Sequence, residues 1–268
     1  MSEWLRPVPS HGPSSGDGAG TGSRQAVRAL LLPYAGGSAD AYRSWSAHLP
    51  PRIRATAVEL PGHGRRVKQP PLDRVEDITE ALAARLDPAD REPLVLYGHS
   101  MGAQLALDLC RALCERGTPP AGLMVAASAP PQVLNRAASR RLADDEGALV
   151  SHVEALGATP REVLDSPAMR EIVLRPLRAD YRLLAHCPPA PAEPLDVPLL
   201  AVAGEADPAH PPREVARWES LSRRARTTKV LPGGHFFPWS DDGRAVVRLI
   251  SELATPQPES EYPRVPAT

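Results

Sequence analysis

The pentapeptide Gly98-His99-Ser100-Met101-Gly102 sets a hydroxyl between two glycines, the G-x-S-x-G pattern of a serine raised on a tight strand-to-helix turn. A serine hydroxyl is a poor nucleophile unless a base takes its proton, and the base needs an acid to orient it. In an open α/β architecture the acid follows a later strand and the histidine lies near the C-terminus. That order selects Asp207, in Gly204-Glu205-Ala206-Asp207-Pro208, and His235, in Leu231-Pro232-Gly233-Gly234-His235-Phe236. Glu205 stands two residues from Asp207, and spacing alone also leaves Asp241 and Asp242 open. Such a set performs acyl transfer through a covalent intermediate, which needs two backbone N–H groups for the developing oxyanion. One comes from Met101, directly after the serine, and the other from Ala35 in the loop Pro33-Tyr34-Ala35-Gly36-Gly37-Ser38.

The remaining chemistry-bearing residues are weaker candidates. His99 is expected to pack beside the turn. His63, in Pro61-Gly62-His63-Gly64, is expected on the surface near the mouth. His210 lies close to Asp207 but ahead of a helix. No His, Cys and Asp cluster has ligand spacing, so no metal is expected. Cys110 and Cys114, one helical turn apart, read as packed thiols.

These residues need elements to carry them. Apolar runs at 26–33, 54–60, 93–98, 121–128, 197–204 and 227–233 read as strands. Helical patterns separate them, clearest at 75–86, where Val75, Ile78, Leu82 and Leu86 share one face, and at 101–115. Nearly continuous apolar strands alternating with helices imply a mainly parallel sheet covered on both faces. The stretch from about 130 to 194 breaks the rhythm with two helical patterns, the second containing Pro176. It is expected to form a helical lid over the C-terminal edge of the sheet.

Composition sets the limits. With 268 residues, 42% hydrophobic and 24% charged, the chain can bury a sizeable core as one large domain. A formal charge of −1 lacks the basic excess of a nucleic-acid binder, and no apolar run approaches a membrane span. Three cysteines are too few for a disulfide framework and fit a reducing, cytoplasmic setting. Residues 1–24, rich in Gly, Ser and Pro, read as a disordered leader, 25–254 as the folded domain and 255–268 as a disordered tail.

Several segments together are similar to one family. Leu-Pro-Tyr-Ala-Gly-Gly-Ser at 32–38, Glu-Leu-Pro-Gly-His-Gly-Arg-Arg at 59–66 and Gly-His-Ser-Met-Gly at 98–102 resemble the type II thioesterases of polyketide and nonribosomal peptide assembly lines. Leu-Gly-Ala-Thr-Pro-Arg-Glu-Val-Leu at 156–164 and Leu-Arg-Ala-Asp-Tyr at 177–181 resemble that family's lid, and the segments around Asp207 and His235 its acid and base. The likeness spans roughly 27–253, in the family's order. His63 departs from it, standing where an arginine is common.

The resemblance implies an α/β-hydrolase fold and a serine hydrolase with Ser100, Asp207 and His235 as catalytic residues. It implies an editing enzyme that releases acyl groups from the phosphopantetheine arm of acyl or peptidyl carrier proteins. The arm belongs to the partner, so no cofactor of the protein's own is expected; charge and hydropathy leave no nucleic acid or membrane expected, and the tails and lid leave a monomer expected. Arg65, Arg66 and Lys68 cluster in a chain with only two lysines and could meet an acidic carrier or the arm's phosphate. An esterase or peptidase of the same fold acting on small free substrates is the alternative. Acyl-chain preference and the pathway served are not implied.

Overall fold

The computed structural model describes residues 3–10, 26–87, 89–90, 92–157, 159–241 and 243–255. In these residues the strands are β1 (Leu5–Val8), β2 (Val27–Leu32), β3 (Ile53–Val58), β4 (Leu94–His99), β5 (Gly122–Ala126), β6 (Leu199–Gly204) and β7 (Ala225–Leu231). They form one sheet in the order β1-β3-β2-β4-β5-β6-β7. All neighbours are parallel except β1, which runs antiparallel to β3. The middle strands β4, β5 and β6 are buried along their whole length, because helices cover both faces.

Helices α1 (Val75–Ala83) and α2 (Met101–Glu115) pack on one face, where Leu105, Leu109, Ile78 and Leu82 join Leu96 and Leu123 of the sheet. A 3-10 helix over Ala39–Ala47 and α8 (Arg244–Leu253) close the other, where Trp45, Val246 and Ile250 meet Val95 and Met124. The amphipathic spacing at 75–86 predicts a longer helix than forms: α1 ends at Ala83, where the last N–H groups already close a turn.

Between β5 and β6 lie α3 (Arg136–Asp144), α4 (Glu146–Leu156), α5 (Arg161–Asp165) and α6 (Pro167–Ala185), and the short α7 (Pro212–Val215) follows β6. The expected helical insertion is present, but in four pieces. Asp145 explains the first break: its side chain caps α4 by accepting from the N–H three residues on, at 3.0 Å, as that of Asn135 does at the start of α3. Gly157, at φ +71, ends α4.

The N-terminal boundary needs correction. Leu5–Val8 is a strand of the sheet, not part of a disordered leader, with Leu5 paired to Val58 and Val8 to Ala55. The Glu59 N–H donates to the Trp4 C=O at 2.9 Å, and Trp4 is buried against the core. The Gly, Ser and Pro content of the leader hid a short apolar segment that covers the open edge of β3. The rest of the leader, 11–24, and the tail beyond Thr255 lie outside the described residues.

Strand order reverses between β2 and β4: the chain moves outward from β2 to β3, then returns to the far side of β2. That reversal opens a crevice outside the carboxyl ends of β2 and β4, where such sheets bind ligands. The loop Pro33–Ser38 and Ser100 leave the sheet at this crevice.

Candidate active site

Ser100 occupies the turn between β4 and α2 with φ 53 and ψ −115, one of two described non-glycine residues at positive φ. A backbone so placed costs on the order of 1–3 kcal/mol and persists only where its surroundings impose it. Here the Ser100 N–H donates to the Ala126 C=O at 2.8 Å, while α2 begins at once behind it. The flanking glycines make room. A Cβ on Gly98 would strike the backbone of Gly102, and one on Gly102 would strike the carbonyls of Leu32 and Pro33. The strand, the helix start and the end of β2 therefore meet at backbone distance, with the hydroxyl above the N-terminus of α2.

The structure brings Asp207 and His235 together. His235 Nδ1 lies 2.9 Å from Asp207 Oδ2, both side chains being almost wholly buried. Asp207 Oδ1 accepts the N–H of Ala209 at 2.9 Å and of His210 at 3.2 Å. Burial alone would raise the Asp207 carboxyl; the hydrogen bond and charge of His235 and the two N–H groups outweigh it and hold the carboxyl below its usual range. Glu205 is exposed, and its N–H pairs with the Leu231 C=O, so the nearer rival carboxylate does not enter this contact. Asp241 is also exposed and accepts the N–H of Ala245, in the first turn of α8, at 3.0 Å. Asp242 lies outside the described residues.

Two further histidines pack against His235 and a third stands on the lid. His99 packs 5.3 Å from it and His210 5.8 Å, ring centre to ring centre, while His152 of α4 packs against Tyr181 of the lid at 5.5 Å. Burial drives His99 well below its ordinary value, with His235 and His210 adding to it. Burial and the charge of His235 push His210 down to about 4, against the pull of Asp207. His152 is lowered by the same two causes. Neutral rings thus crowd His235, leaving Asp207 as the charged group bonded to it. His210 Nδ1 also accepts the Ala129 N–H at 3.2 Å, and Gln104 Nε2 donates to the Ala129 C=O at 2.8 Å, tying the acid loop to α2.

A cavity of about 210 Å³ opens on Ser100, His235, Ala35 and Gly36. Its other wall is apolar and comes from the lid: Val153 and Leu156 of α4, Val173, Leu177 and Tyr181 of α6. A more open groove of about 450 Å³ meets it at Tyr34, Leu156, His235 and Phe236.

Two residues stand otherwise than their sequence setting suggests. His63 is not on the surface: it is 3% exposed, with Nε2 2.9 Å from Asp180 Oδ2 and Nδ1 3.0 Å from the Pro61 C=O. Of the basic cluster, Arg65 and Lys68 are exposed, but Arg66 is buried. It donates to the Glu59 C=O and to Gln69 Oε1, both at 2.9 Å, and lies over the Trp4 ring. Its stem and charge serve the edge of the sheet, because two acceptors and an aromatic face were within reach. Cys110 is buried in the core and Cys114 half-buried beside it, both unbridged.

The sheet, its switch-point crevice and the helical insertion define a hydrolase of the α/β-hydrolase fold. Residues 28–253 match the family model described as a thioesterase domain, and the chain belongs to the thioesterase family. Thioesterase PikA5 of Streptomyces venezuelae is 33% identical over 214 residues, 79% of this chain and 75% of that protein. The gramicidin S biosynthesis protein GrsT of Aneurinibacillus migulanus is 30% identical over 236 residues, 88% of this chain and 92% of its own. Among solved structures, the type II thioesterase BorB from the borrelidin biosynthetic cluster aligns with a TM-score of 0.77 at 27% identity, over 94% of this chain and 98% of that one. The resemblance drawn from the motifs at 32–38, 59–66 and 98–102 holds. Among the described residues, no helix is long and apolar enough to cross a membrane.

Proposed function

We propose that the protein hydrolyses acyl groups from the phosphopantetheine thiol of acyl or peptidyl carrier proteins, as an editing enzyme of a polyketide or nonribosomal peptide pathway. The observation that carries this reading is the joining of Ser100 and the His235–Asp207 pair to a cavity whose far wall is apolar lid. One end suits acyl transfer and the other an acyl chain.

In this reading Ser100 Oγ attacks the thioester carbonyl while His235 Nε2 takes its proton. Asp207 keeps the second proton on Nδ1, through the 2.9 Å contact, and stabilises the imidazolium that forms. The tetrahedral oxyanion is held by the N–H groups of Met101 and Ala35. Collapse expels the thiolate, which His235 protonates. A water molecule then attacks the acyl-serine by the same route reversed, returning Ser100 and a free acid. The open groove beside His235 suits the arm's entry, the lid cavity its acyl cargo. Metal and cofactor have no part in these steps, and the protein acts as a cytoplasmic monomer.

Acyl groups offered both as carrier-protein thioesters and as small-molecule thioesters, with Ser100→Ala beside them, test the reading. A preference for the carrier-bound form that vanishes in Ser100→Ala supports it. Equal or better turnover of free substrates sets the carrier aside, and undiminished turnover in Ser100→Ala sets the nucleophile aside.

A further inference from the structure

The lid grips the loop that carries Ala35. Residues Tyr34–Gly37 form a tight turn in which the Gly37 N–H donates to the Tyr34 C=O at 2.8 Å, with Gly36 at φ +76 in its third position. Turns of this kind come in two forms that differ by a flip of the central peptide, here the bond between Ala35 and Gly36. A partner for that peptide decides between them. The Gly36 N–H donates to Asp180 Oδ2 at 2.7 Å, and Asp180, on α6, is 1% exposed. One turn earlier on α6, Leu177 packs so closely that a Cβ on Gly36 would lie 2.9 Å from its Cδ2.

Asp180 is itself held. The same Oδ2 lies 2.9 Å from His63 Nε2, while His63 Nδ1 faces the Pro61 C=O at 3.0 Å. A carbonyl and a carboxylate both accept, so the ring satisfies both only by donating from both nitrogens, as an imidazolium. The other charged side chain acting on it is Glu59, at the end of β3, which accepts from Arg6 at 3.2 Å and from the Ala39 N–H at 3.2 Å. Burial pulls the His63 ring down; the charge and hydrogen bond of Asp180, the Pro61 carbonyl and Glu59 pull it further up, and it ends raised.

We propose that Asp180 is a positioning residue which, held by His63, clamps the Ala35–Gly36 peptide through the Gly36 N–H and so fixes the turn on which the preceding peptide presents the Ala35 N–H toward Ser100. The proposal rests on the reading of Ser100 as nucleophile and Ala35 as oxyanion donor. It adds that the lid is coupled to the oxyanion hole. Leu177 and Tyr181 line the acyl cavity on either side of Asp180 in sequence, so a shift of α6 under an acyl chain shifts the clamp with it. Loss of the clamp should act on the transition state more than on substrate binding.

The test compares wild type, Asp180→Asn, His63→Gln and His63→Arg with one small-molecule acyl thioester, reading kcat and KM across pH, with melting temperature alongside. Removing an oxyanion donor outright costs about 10²–10³ in kcat. Loosening the turn that carries the donor should cost Asp180→Asn about 10- to 100-fold in kcat, with KM nearly unchanged. Wild type should lose kcat as pH rises through the raised pKa of His63, when one N–H remains for two acceptors. His63→Gln should be slower and lack that alkaline step; His63→Arg, permanently charged, should lack the step yet outperform His63→Gln. Wild-type kcat in both Asp180→Asn and His63→Gln, or an alkaline step unchanged in all variants, overturns the proposal. If Asp180→Asn does not fold, the two His63 variants decide. Labelling of wild-type Ser100 by a fluorophosphonate tests the underlying reading separately: an unlabelled, fully active enzyme would remove the nucleophile, whatever the variants do.

Discussion

Asp207→Asn is nearly isosteric, yet the hydrogen bonds around Asp207 dictate how it fails. In the native carboxylate, Oδ1 accepts two backbone N–H groups, from Ala209 and His210, and Oδ2 faces His235 Nδ1. An asparagine must place its single oxygen at the Oδ1 position. The reverse orientation would leave two buried N–H groups opposing an NH₂, at roughly 1–3 kcal/mol each. Its NH₂ then points at His235 Nδ1 and donates, so the ring must carry its proton on Nε2. In that tautomer Nε2 cannot accept the Ser100 proton. Restoring the productive tautomer sets donor against donor across 2.9 Å, a penalty of about 4–5 kcal/mol, or 10³–10⁴ in kcat at 1.36 kcal/mol per decade. Turnover of an acyl thioester followed with a thiol-trapping dye measures it, with melting temperature as the control for folding. A kcat above a tenth of wild type in a folded Asp207→Asn protein would refute the reasoning. Loss of activity in Glu205→Gln or Asp241→Asn instead would move the acid elsewhere.

Gly36→Ala should lower both the melting temperature and kcat, since left-handed backbone costs a side chain roughly 1–2 kcal/mol and the new Cβ displaces Leu177; wild-type values in a thermal scan and a turnover assay would contradict the close approach. Val173→Phe should shorten the acyl chain accepted: kcat/KM should rise about fourfold per methylene up to the capacity of the cavity, at ~0.8 kcal/mol each, and reach its plateau earlier in the variant. An unchanged chain-length profile would place the acyl group elsewhere. The buried His210 binds its proton in the unfolded chain below pH 6.5 but in the folded protein only below about 4. The unfolded state therefore holds more protons between these values, and stability falls as pH drops from 6.5 toward 4. Denaturant unfolding at several pH values should show a shallower fall in His210→Gln; an identical slope would count against a neutral, buried His210.

The nucleophile turn was readable because its requirements are local. A serine between two glycines after an apolar strand and before a helix leaves few alternatives, and the packing at Gly98 and Gly102 shows why larger residues would not fit. Asp207 and His235 were readable at one remove, from their places after β6 and β7, although Glu205 and Asp241 remained open until the hydrogen bonds separated them. His63 was misplaced because a proline-glycine turn usually lies in solvent; nothing local revealed that a carboxylate 117 positions onward would cover it. The first strand was missed for a related reason. Four residues in a polar leader carry too little periodicity to read, and the open edge of β3 supplies the partner.

By itself, the sequence determined the succession of strands from β2 to β7, the serine turn and the helical, apolar character of the lid, because each depends on neighbours in the chain. Tertiary structure alone decided which carboxylate meets His235, that His99 and His210 pack against it without charge, and that α6 reaches back to hold Gly36 through Asp180. These are contacts between segments far apart in the chain. Their strength comes from burial, which strengthens a hydrogen bond and penalises an unpaired charge, and burial is a property of the packed whole.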